Sequence, residues 1–120
     1  NGELVKLLES KNINFKKKRL IQKLTKIKSK GFCILGVGAA AKSNTFLNTY
    51  GIDRKYIDFI TDASIHKQGK FMPKTRIPIV SDRIFKNYKK VYAIILSWNI
   101  STQLKQKLKK INNNIYFLKI

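Results

Sequence analysis

The chain has 120 residues, enough for one domain with a modest core. A hydrophobic fraction of 43% is ordinary for a globular fold, and no run approaches the roughly 18 apolar residues of a membrane-spanning helix. One cysteine excludes an internal disulfide, and a net charge of +20 draws the chain toward anions.

The start, Asn1-Gly2-Glu3, is polar and has no secretory pattern, so the sequence is expected to be a piece of a longer cytoplasmic polypeptide. Glu3 to Lys30 reads as helix. Leu4, Leu7 and Leu8 form one apolar stripe, and Phe15, Leu20, Ile21, Leu24 and Ile27 form a second. Asn12 and Asn14 are expected to interrupt the two, and Lys16 to Arg19 to be a solvated face. Gly31 then stops the helix.

Phe32-Cys33-Ile34-Leu35 is wholly apolar, as in a parallel strand buried on both faces, which makes Cys33 an inert thiol. Gly36-Val37-Gly38 follows, then a helix from about Ala40 to Tyr50, ended by Gly51. Glycine lets the backbone turn tightly and approach a ligand. The helix N-terminus offers free N–H groups and a positive dipole end to an anion. Two of the three glycines of the dinucleotide fingerprint are present, and Ala41 stands at the third position, where alanine is allowed. Close strand–helix packing without a ligand explains the same residues equally well.

Tyr56 to Asp62 reads as the second strand. Asp62 stands at its end, positioned to accept from a ribose or sugar hydroxyl, or to cap the next turn. Ala63 to Arg76 is polar and without period. Its His66, Lys67, Gln68 and Lys70 follow the end of a strand, where α/β sheets bind ligands. Ile77 to Val80 is a short strand that Pro78 confines to an edge. Ser81 or Asp82 caps a short helix to about Tyr88. Val91 to Trp98 is the strongest strand and belongs beside the first. Trp98 and Asn99 then either stack on and hydrogen-bond a base or sugar, or serve as a core Trp and a helix cap. Ser101 to Ile111 is an amphipathic helix with Leu104, Leu108 and Ile111 on one face, and Ile115 to Ile120 a final strand.

Strands alternating with helices predict a Rossmann-like, three-layer α/β domain over residues 31–120, with about five mostly parallel strands. A helical segment over residues 1–30 precedes it. There is no metal cluster, no Ser/His/Asp pattern and no Walker lysine, so no catalytic group is assigned; His66 alone is considered for one. The residues leave three functions open: a domain holding an anionic small ligand, a stand-alone Rossmann module for NAD(P) or another nucleotide, and a basic nucleic-acid-binding protein. Lysine supplies nearly all the charge, and the only arginines are Arg19, Arg54, Arg76 and Arg83. Sequence-specific readers lean on arginine, so a nucleic-acid partner is disfavoured. No membrane partner is expected.

One block carries more information. Gly36-Val37-Gly38-Ala39-Ala40-Ala41-Lys42-Ser43-Asn44-Thr45-Phe46-Leu47-Asn48 resembles the G-Y-G-A-x-A-K-G-N-T-L-L-N signature of the C-terminal domain of SAM-dependent C-methyltransferases. The likeness runs on through Tyr56 to Asp62, Ser64, His66-Lys67-Gln68-Gly69, Pro73, Arg76 to Ile79 and Ser97-Trp98-Asn99. It spans roughly Lys16 to Ile120. Departures from the pattern are Ser43 for Gly, Ile65 for Pro and Lys74 for Gly.

The resemblance implies a polypeptide with an N-terminal zinc region, a central SAM-binding domain and this C-terminal domain. Sugar members of that family methylate a carbon of a nucleotide-linked deoxy-keto-sugar: a base removes the proton beside the ketone and the enolate attacks the SAM methyl. The C-terminal domain helps hold the nucleotide sugar. SAM and zinc are therefore expected outside this chain, with no cofactor in the domain itself. Carried over by position, the substrate-binding candidates are Gly38, Ala39, Lys42, Asn44, His66, Lys67, Gln68, Trp98 and Asn99. Gly36 and Asp62 join them from the reading of the residues.

Overall fold

The structure is a computed structural model that describes residues 2–97 and 101–118. In chain order its elements are α1 (Gly2–Ser29), β1 (Cys33–Val37), α2 (Ala41–Tyr50), β2 (Phe59–Thr61), β3 (Ile79–Val80), a 3₁₀ segment (Asp82–Asn87), β4 (Val91–Ile95), α3 (Ser101–Ile111) and β5 (Ile115–Leu118). The strands form one sheet in the order β3-β2-β1-β4-β5, and every pairing is parallel.

Successive side chains of a strand point to opposite faces, so one apolar run feeds two cores. Ile34, Ile60 and Ile94 pack with Leu24 of α1 and Leu47 of α2 on one face. Leu35, Val37, Ala93 and Ile95 pack with Phe85 and Leu108 of α3 on the other. The result is the expected three-layer α/β sandwich. Strand β1 has β2 on one side and β4 on the other, so a switch point opens at their C-terminal ends.

Glycine ends two helices by taking the left-handed conformation that L side chains resist. Gly31 has φ +85° and donates to the Lys28 carbonyl. Gly51 has φ +65° and donates to Asn48, while the Ile52 amide reaches back to Leu47.

Four local expectations change. First, α1 is continuous through Asn12 and Asn14, because Asn costs a helix interior only about 0.6 kcal/mol relative to Ala. Of this helix only Leu20, Leu24 and Ile27 are buried; Phe15 is 60% exposed. Second, β1 runs to Val37 and takes Gly36 inside it. Third, β2 begins at Phe59 instead of Tyr56, because the Asp53 carbonyl accepts from both Tyr56 and Ile57 amides and holds them in a turn. Fourth, the aperiodic stretch before β3 contains a hairpin. Gly69 donates to Ile79, Ile79 to Lys70 and Met72 to Ile77, with Phe71 and Pro78 bridged antiparallel. Its tip, Pro73 to Arg76, holds Lys74 at φ +70° and Arg76 at φ +62°.

Candidate functional site

Gly38 follows the last residue of β1 with φ +104°, and its amide donates to the Thr61 carbonyl of β2 at 2.8 Å. A methyl group added to Gly38 would collide with Ser97 Oγ, just past β4. This glycine is required both for its dihedral and for the close approach of the third strand. Gly36 has a different role. It is buried within β1, paired with Ile60 and Ile94, and an added Cβ would lie 2.6 Å from Ile60 Cδ1 and 3.0 Å from Leu96 Cδ1. It permits packing and is not at the surface of the turn.

Asp62 joins the turn to the loop that follows β2. Its Oδ2 accepts the Ala39 amide at 2.8 Å, and its Oδ1 accepts the Ser64 amide at 2.9 Å. The Asp62 carbonyl accepts from Gln68 Nε2 at 2.8 Å, and Lys67 Nζ lies 3.9 Å from Oδ2. Asp62 therefore fixes the Gly38-Ala39 turn and the 64–68 loop against each other. The turn-capping alternative for Asp62 is what the geometry displays, with a second bond to the glycine turn added. His66 lies exposed on the same loop.

Helix α2 begins beyond that turn. Ala40 has no side-chain oxygen, so the helix starts without a capping acceptor, and Ser43 Oγ reaches back to the Ala40 amide at 3.4 Å. Ser43 is fully buried where the family pattern has glycine. Lys42 is exposed on the first turn, and Asn44 Oδ1 is buried with no hydrogen-bond partner.

Gly38, Thr61, Asp62, Asp82, Ser97 and Leu104 line a cleft of about 130 Å³ at the strand ends. Asp82 is held there by Lys107 Nζ at 3.1 Å. Thr61, Asp82 and Ser97 were absent from the candidates read from sequence. Their signal was a polar residue just beyond or at the end of an apolar strand, which also describes ordinary caps. The structure thus brings together Gly38, Ala39, Asp62, Lys67 and Gln68, with Lys42 and Asn44 on the adjoining helix. Trp98 and Asn99 lie outside the described residues.

The other end of β1 is chemically quiet. Burial, then the nearby Asp58 carboxylate, pushes the half-buried Cys33 thiol above its ordinary value, with Lys28 opposing. Burial likewise raises Tyr88. Among the described residues no group of three His, Cys, Asp or Glu side chains is gathered that would hold a metal ion, and no helix is long and apolar enough to cross a membrane.

Residues 9–116 match the family model described as the C-methyltransferase C-terminal domain. A C-methyltransferase, NovU, from Streptomyces niveus is 32% identical over 74 residues, which is 62% of this chain and 18% of that protein. The matched part thus spans less than a fifth of that curated relative's length.

Proposed function

We propose, from the premise that the chain belongs to the C-methyltransferase C-terminal domain family, that it is the substrate-holding part of a SAM-dependent enzyme that methylates carbon. The substrate proposed is a nucleoside-diphosphate deoxy-keto-sugar. SAM and zinc are assigned to parts of the polypeptide outside these residues, and a reducing cytoplasm suits the single thiol.

One observation carries this reading. Gly38, Asp62 and Ser97 come from three distant blocks of the family-like pattern, and they meet at the C-terminal ends of three adjacent strands. In an open α/β sheet that crevice is where ligands bind. Asp62 already occupies the Ala39 amide, so an incoming diphosphate would meet the uncapped first turn of α2, Lys42 and the His66-Lys67 loop instead. The cleft of about 130 Å³ is well below the roughly 300 Å³ of a small-ligand pocket. Completion of the cleft by a second body would suit a domain that binds without catalysing.

Thermal unfolding tests the reading. A nucleoside-diphosphate sugar should raise the melting temperature of the polypeptide that contains this chain, and NADH should not. Stabilisation by NADH alone would replace it with the dinucleotide reading.

A further inference from the structure

The first half of α1 carries an apolar face that the domain does not use. Every residue from Gly2 to Arg19 is exposed, including Leu7 at 52%, Leu8 at 57% and Phe15 at 60%. At about 100° per residue these three share one side of the helix, roughly 165° round from the buried Leu20, Leu24 and Ile27. The stripe therefore points away from the sheet. It is not an overhanging continuation of the contact that anchors the helix.

We propose that α1 is a shared helix, with its second half docked on this sheet and its first half seated in an apolar groove of the body that precedes the domain in the same polypeptide. The inference rests on the family reading above. Three features select that occupant. The helix enters from the N-terminal side, where a C-terminal domain meets the rest of its chain. The matched region is only 18% of the related methyltransferase, so that relative carries a much larger body beside the matched part. At the same 100° spacing Lys11, Lys18 and Arg19 fall on or beside the stripe and neither Glu3 nor Glu9 does, so the groove should be rimmed by carboxylates. A second copy carries the same net charge of +20 and repels. In this arrangement the rotation of α1 sets how the partner body closes over the incomplete cleft.

Amide hydrogen exchange tests the proposal, comparing the 120-residue chain with the full polypeptide. Residues 5–15 should exchange at least about tenfold more slowly in the full polypeptide, while residues 20–29 stay equally protected in both. Leu8→Asp with Phe15→Asp should abolish that difference and leave the melting temperature of the 120-residue chain unchanged. Equal exchange in both proteins overturns the proposal, as does a parent gene encoding no further body. Dimerisation of the isolated chain with the same amides protected assigns the face to a second copy. Protection only on vesicles of anionic phosphatidylglycerol assigns it to a lipid surface. Because exchange is read without substrate, a failure of nucleotide-sugar binding leaves this outcome legible, and the reverse.

Discussion

Asp62 Oδ2 accepts the backbone N–H of Ala39 at 2.8 Å, across 23 residues of sequence. The bond ties the glycine turn to the end of β2 as a rigid ledge and leaves the Ala39 amide occupied. With side-chain bonds to both Ala39 and Ser64, Asp62→Ala should cost about 2–3 kcal/mol, since bonds to a charged acceptor exceed neutral ones. Asp62→Asn keeps an acceptor oxygen and should lose about half as much. Urea unfolding of both variants measures the difference; equal stability of Asp62→Ala and the parent chain would remove the ledge from the account.

The glycines separate by mechanism. Gly38→Ala combines φ +104° with a collision at Ser97 and should cost more than about 3 kcal/mol. Gly36→Ala meets only the terminal methyl groups of Ile60 and Leu96 and should cost about 1–3 kcal/mol. Gly31→Ala has open space but φ +85°, so about 1 kcal/mol is expected. Chemical unfolding of the three variants checks the ranking, and Gly36→Ala proving the worst would contradict it.

Lys74 sits at φ +70° where the family pattern has glycine. Relief of the left-handed strain outweighs the added freedom of glycine in the unfolded chain, so Lys74→Gly should stabilise by about 0.5–1 kcal/mol. A lower melting temperature for this variant would show that the lysine side chain contributes something the backbone does not reveal.

Cys33 has its pKa raised by burial and then by Asp58. The folded state therefore prefers the neutral thiol. That preference is fully present below the unfolded thiol value of about 8.5 and is lost as pH rises through the higher folded value. Stability should fall on going from pH 8 to alkaline conditions, and Cys33→Ala should flatten that fall. Iodoacetamide should alkylate Cys33 more slowly than free cysteine at pH 8, and reaction at the free-thiol rate would refute the half-buried, neutral state.

Much of the architecture was legible because it rests on local patterns. Gly31 and Gly51 ended their helices as read, and the apolar runs at Ile34 and Ile94 gave adjacent central strands. The limits of β2 were not legible, since they depend on the Asp53 carbonyl catching two amides. Nor was the 69–79 hairpin, whose pairing is made by backbone groups that leave no periodic trace in side chains. The position of Asp62 at a strand end pointed to the cleft. Its grip on Ala39 needed the two strands side by side. The apolar residues of α1 were visible, but that Phe15 shares the exposed side of Leu7 and Leu8 and not the buried side of Leu20, Leu24 and Ile27 emerges only once the helix is continuous.

The most direct test of the substrate-holding role is an amide-resolved NMR titration of the polypeptide that contains this chain with a nucleoside-diphosphate deoxy-keto-sugar. Saturable shifts should appear at residues 39–44 and 62–68, weakened by Asp62→Ala and not reproduced by inorganic pyrophosphate alone. Shifts scattered over the lysine-rich surface that vanish with added salt, or none at the strand ends, would contradict it.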